Sequence, residues 1–477
     1  MSVEQGVLPF KIESAKAGHL TSFSGVPLVV ELCRRVFGRK LYRSLAGRVG
    51  MKAKVVQKYV ESLMCLFAAG GDCIEDVERL RADGGLARLL GFVPSGRTQL
   101  KKFLYSFHQD TSGHPLTPAQ DAELSKVGVA TIRPEGPGLL MLDRLLKAII
   151  DAVQTSQHRA RATLDVDATI IEAHKKGALV AYEGTRGYQP QNALWAEQGV
   201  VVADEFRDGN VPAAYEARAF LERAFGALPS SVTERRLRAD SAFYDELALT
   251  WADERGILFA VTADMSTSLS AQVMLIPDSE WKPYRGLNES EKTPSHEERQ
   301  CAEVTGFVPG WARNHKKDGL PFRYIAIRVR PRQGELFDAE TPTWRHFAVV
   351  TNMRTWTAEN LLRWHREKAG TIEHVFLEIK GELAGGTMPT GKFGANAAWW
   401  RLNVLVYNLF RLLKIEALPA NMQTTRPKGL RFHLFNIAGE VVKTAGRLLL
   451  RMAVSAMELS RICAARRAIA RMSAPTG

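Results

Sequence analysis

Thr163-Leu-Asp-Val-Asp-Ala-Thr169 alternates in character along its length. Leu164, Val166 and Ala168 fall on one face, and Asp165, Asp167 and Thr169 on the other. That is the two-residue period of a β-strand. Asp165 and Asp167 therefore point the same way. Two carboxylates on one strand face repel unless a cation lies between them, and magnesium is the hard-oxygen partner expected beside phosphate. Asp167 lies nearer the strand end and is the first choice as a ligand; Asp165 is the second.

Around this run the chain reads as a mixed sheet covered by helices. Further strands are expected at 178–182, 193–202, 237–240 and 258–262, with helices at 213–225 and 245–254. Before it, residues 25–160 are mostly helical. Leu28, Val29, Leu32 and Val36 recur at helical spacing, as do Val56, Val60, Leu63 and Phe67, and Leu139, Leu142, Leu146 and Ile149. Ser95 is expected to cap a helix carrying Thr98 and Phe103. After it, 275–345 is rich in Pro, Trp, Lys and Arg and reads as a β-rich insertion with strands at 323–329 and 346–351. Helices follow at 357–381, capped by Thr357, at 396–415, and through the basic run 439–471. The expected segments are a helical 1–155, a first core part 156–270, the insertion 271–352, a second core part 353–416 and a basic helical 417–477.

Two other carboxylates stand out. Asp240, in Leu237-Arg-Ala-Asp-Ser241, ends a short strand; taken alone, an Asp there is more often an N-cap than a ligand. Arg238 beside it could reach a phosphate. Glu373 lies in Arg366-Glu-Lys-Ala-Gly-Thr-Ile-Glu-His374. On a continuous helix Arg366, Glu373 and Lys380 form one stripe, next to an apolar stripe of Ile372, Phe376, Ile379 and Leu383. A salt-bridged surface helix has the same spacing.

The totals narrow the chemistry. The chain has 477 residues and a formal net charge of +13, an excess that favours a polyanionic partner through counterion release. The five cysteines form no Cys-x-x-Cys pair, which speaks against a zinc ribbon or a disulfide framework. No phosphate loop, Gly-x-Ser-x-Gly elbow or His-Glu-x-x-His pair occurs. No apolar run is long enough to span a membrane, and a cytoplasmic setting is expected.

The runs Leu164-Asp-Val-Asp-Ala-Thr169, Arg186-Gly-Tyr-Gln-Pro190, Leu237-Arg-Ala-Asp-Ser-Ala-Phe-Tyr244, Arg366 to Val375 and Gly391 to Asn403 together resemble the DDE transposases of bacterial insertion sequences. The similarity is to the group named for insertion sequence 1380, within the set named for insertion sequence 4. The resemblance implies a ribonuclease-H-like core, a β-rich insertion between the second Asp and the Glu, and two divalent ions, Mg2+ or Mn2+. By motif, Asp167, Asp240 and Glu373 would be the catalytic and metal-holding triad. Lys380 keeps the wider set's spacing from the Glu, whereas that set's Arg and Tyr are replaced by Ala369 and Arg366. Arg366, Lys380, Arg238, Arg186 and Tyr188 would face DNA. Trp344, with Trp311 behind it, would stack a flipped base. The partners implied are double-stranded DNA at terminal inverted repeats and at the target, and a second copy of the chain in a homodimer. The activity implied is cut-and-paste transposition in the bacterial nucleoid. A metal-dependent nuclease that does not join ends, and a DNA-binding relative without chemistry, are the alternatives.

Overall fold

The computed structural model describes residues 18–125, 129–175, 177–287, 297–311, 322–331 and 343–472; parts of the expected insertion lie outside these. Helices α1 (Pro27–Arg48), α2 (Ala53–Ala69), α3 (Arg97–Tyr105) and α4 (Pro137–Ser156) come first. Their periodic apolar residues, among them Val56, Val60, Leu63, Leu142 and Ile149, are fully buried. Gly96, not Ser95, is the N-cap of α3; the Ser95 N–H instead donates to Ser62 Oγ at 3.0 Å.

The core strands are β1 (Arg161–Ala168), β2 (Gln191–Trp195), β3 (Val200–Glu205), β4 (Glu234–Ala239) and β5 (Leu258–Ala263). Helices α5 (Ala217–Gly226) and α6 (Glu246–Glu254) connect the last three. The single strand expected at 193–202 is a hairpin, β2–β3, because the chain turns at Gly199, which has φ +66°. Strands β1, β2 and β3 are antiparallel, while β4 pairs parallel to β1 and β5 parallel to β4. The order β3-β2-β1-β4-β5 is the ribonuclease-H-like arrangement.

Insertion strands β6 (Glu297–Val304), β7 (Arg323–Pro331) and β8 (Arg345–Thr351) extend this same sheet, with β8 antiparallel to β5. Next come α7 (Ala358–Arg366), α8 (Ile372–Leu377) and the long α9 (Phe393–Ala417). Helix α9 is buried around its circumference and packs against α2, α3, α4 and β3. The run 439–471 opens as a hairpin, β9 (Gly439–Thr444) with β10 (Arg447–Met452), and only then becomes α10 (Ala456–Arg471). The all-helical expectation fails there because Ala445-Gly446 takes positive φ and turns the chain.

Segments from the first and last parts of the described chain meet. Ser24 N–H donates to Ile437 O and Gly25 N–H to Phe435 O, at 3.0 and 3.1 Å. A Cβ on Gly25 would lie 1.7 Å from Leu434 O, so only glycine fits. One contiguous core runs from Phe23 to Ile469, with a smaller cluster beneath the insertion and α7. Among the described residues no helix is long and apolar enough to cross a membrane.

Candidate active site

Strand β1 ends at Asp167-Ala168 and β4 at Ala239, followed by Asp240. The parallel register pairs Asp165 with Arg238 and Val166 with Ala239, so Asp167 and Asp240 lie level on neighbouring strand ends. The Asp167 charge acts on the Asp240 carboxyl. Asp167 Oδ2 accepts from Lys368 Nζ at 2.9 Å, and Oδ1 accepts from the Ala168 N–H at 2.9 Å. Asp240 also caps the turn that follows, accepting from the Ala242 N–H at 3.2 Å, so the cap and the site are one residue. Burial pushes the Asp240 carboxyl up to about 6; the Lys368 charge opposes that shift and the Asp167 charge adds to it.

Asp165, the second-choice ligand, is already engaged. Its two oxygens accept from Arg238 Nε and Nη2 at 2.6 and 2.9 Å, and the Thr371 hydroxyl donates to it as well. Arg238 is buried too, and binds Glu367 and the Trp364 carbonyl with its remaining nitrogen at 2.6 and 2.7 Å. It clamps β1 to β4 and α7, which corrects the expectation that it reaches DNA.

The helix expected over 357–381 is broken. Thr357 caps α7, accepting from the Asn360 N–H, but a tight turn, Glu367–Gly370, separates α7 from α8, and a wide turn covers Glu378–Glu382. Thr371, at φ −115° and ψ −77°, leaves the helical path while its side chain holds Asp165. Arg366 thus belongs to α7, off the Glu373 stripe, and is exposed. Lys380 donates to Thr169 Oγ1 and Ile170 O at 2.9 and 2.7 Å, so the wide turn after α8 lies against the end of β1. Glu373 is exposed in the first turn of α8. The ligand oxygens of Asp167, Asp240 and Glu373 do not all lie within 4.8 Å of one another; among the described residues, only Asp72, Cys73 and Asp76 form such a group.

The remaining sequence candidates scatter. Arg186 is exposed on a short strand, Arg186–Tyr188. Tyr188 is buried against Phe206 and Phe393, and its hydroxyl accepts from Asn396 Nδ2 at 3.2 Å. It is a core residue, not a DNA contact. Trp344 is half-buried, with the guanidinium groups of Arg328 and Arg330 over its ring at 4.6 and 4.3 Å. Trp311 packs near Phe322.

Three residues escaped the sequence reading. Lys368 is buried against Asp167. His365 Nε2 lies 3.1 Å from the Ala239 carbonyl. Asn192, opposite Asp167 on β2, is fully buried, and neither amide atom finds a protein partner. Two hard carboxylates, a position that already attracts a cation and an unsatisfied amide beside it suit a divalent ion.

The family model described as transposase DDE domain group 1 matches residues 11–474. No curated protein matches the chain. Among solved structures, a cryo-EM structure of the piggyBac transposase synaptic complex with hairpin DNA is similar at TM-score 0.47 and 11% identity, over 97% of this chain and 85% of that one. With the family match spanning nearly its whole length, the chain belongs to the group 1 DDE transposase domain family and is a DDE transposase.

Proposed function

We propose that this enzyme is the cut-and-paste transposase of a bacterial insertion sequence of the insertion sequence 1380 group, cleaving at terminal inverted repeats and joining the freed ends to target DNA. The observation that carries this reading is the meeting of Asp167 and Asp240 at adjacent parallel strand ends, beneath α8. These two residues would hold divalent ions, Mg2+ or Mn2+, with Glu373 completing the set from the rim once DNA is bound. Two such ions supply activation of the attacking oxygen and neutralisation of charge on the leaving oxygen. Lys380 fixes the wide turn after α8 against the end of β1, and so sets where Glu373 projects. Arg366 and Arg186, both exposed, are available to phosphate. The helical 1–155 segment would recognise the ends, and the insertion and the basic 417–477 segment would grip flanking DNA. Two copies of the chain would bridge a pair of ends.

A labelled terminal-repeat duplex incubated with a target plasmid and Mg2+ tests this reading. Cleaved ends and joined products are expected from the wild type. Asp167→Asn and Asp240→Asn should each lower both by at least about 10³-fold while leaving end binding intact. Cleavage without joining would favour the nuclease alternative, and unchanged cleavage in Asp240→Asn would remove Asp240 from the site.

A further inference from the structure

Lys368 is an unusual residue to find where it is. It is 9% exposed, on the turn between α7 and α8, with its ammonium 2.9 Å from Asp167 Oδ2. Lysine is almost never buried unless paired. The other buried cation of this cluster, Arg238, is fully engaged by Asp165, Glu367 and the Trp364 carbonyl. Lys368 is therefore the cation that serves Asp167 and Asp240, and its charge acts on both.

A magnesium ion bound to a carboxylate sits about 2.0–2.1 Å from the oxygen. An ion at that distance from Asp167 Oδ2, on the side facing Asp240, would crowd an ammonium 2.9 Å from the same oxygen, and the two are of like charge. Both cannot stay. Lys368 can leave, because lysine is a compact charge on a flexible four-carbon stem. Its turn also ends at Gly370, where an added Cβ would meet nothing within 4 Å.

We propose that Lys368 is a tethered counter-ion that holds the Asp167–Asp240 pair together in the metal-free protein and competes with an entering divalent ion for Asp167. It is a positioning residue that sets metal occupancy. The inference rests on the reading of Asp167 and Asp240 as metal ligands. Two consequences run in opposite directions. Removing the ammonium leaves two carboxylates in repulsion and weakens the metal-free protein; it also removes the competitor and tightens metal binding. A lysine serving only as a structural salt bridge would give the first effect without the second.

The test is Mn2+ binding to the full chain, read by electron paramagnetic resonance of free Mn2+, with thermal melting alongside. Lys368→Met should bind Mn2+ about tenfold more tightly than the wild type, melt lower without metal and gain more from added Mn2+. Lys368→Arg, whose planar fork grips a carboxylate through two bonds, should bind Mn2+ about tenfold more weakly, and supplies the answer if the methionine variant does not fold. Equal or weaker binding in Lys368→Met, or unchanged binding in Lys368→Arg, overturns the role of Lys368 alone. If Asp167→Asn leaves Mn2+ binding as in the wild type, the metal reading itself fails, and this inference with it.

Discussion

The end of β4 is fixed by a side chain that touches no carboxylate. His365 Nε2 reaches the Ala239 carbonyl at 3.1 Å and Thr262 Oγ1 at 3.5 Å, so the backbone just before Asp240 is tied to α7. Burial pulls this imidazole down to about 4; the bond to Ala239 opposes the shift and the Lys368 charge adds to it. Because the folded value lies below the unfolded one, the neutral ring contributes stability that is complete above about pH 6.5 and is lost as pH falls towards 4. Urea titrations of the wild type between pH 7 and 4.5 should show a loss on the order of 2 kcal/mol from this group. His365→Gln should flatten that part of the pH dependence; an identical slope in the variant would place the loss elsewhere. At the same scale, Arg186-Gly-Tyr188 turns out to be partly architectural. A Cβ on Gly187 would lie 2.1 Å from Ile171 O, and Tyr188 fills the core. A motif can therefore recur for packing reasons while reading as a binding signature.

Elements with a clean period were legible in the sequence. The alternation in β1 and the stripes of α2 and α4 follow from local spacing, and the strands at 237–240 and 258–262 appear within a few residues of their expected places. The break between α7 and α8 was not legible, because its cause is distant. Thr371 leaves the helix to bond Asp165, 206 residues earlier in the chain. Reading the segment as one helix gave Lys368 no role. Helix α9 depends on another distant contact. The buried Arg401 holds Asp204 of β3 at 2.9 Å, Glu135 at 2.7 Å and Asp143 of α4 at 3.0 Å. Arg401→Met would strand buried carboxylates and should cost about 3–5 kcal/mol in urea unfolding. A loss below about 1 kcal/mol would show that the network contributes little to joining these layers.

Across the whole molecule, the order of acidic residues was readable but their convergence was not. Asp167 and Asp240 are separated in sequence and meet only because β4 enters the sheet parallel to β1. Asp165 ranked second to Asp167 in the sequence, and the Arg238 clamp and the Thr371 hydroxyl set it apart in the structure. The helical 1–155 and basic 417–477 segments were likewise read as separate, whereas their described residues share one core through Gly25 and the β9 hairpin. Cleavage by the proposed route needs a divalent ion at those two strand ends. The most direct measurement is anomalous X-ray scattering from crystals of the full chain soaked in Mn2+. A peak within coordinating distance of both Asp167 and Asp240, absent from Asp167→Asn crystals, is the expected result. Manganese found only at Asp72 and Asp76, or nowhere near the ends of β1 and β4, would contradict the account.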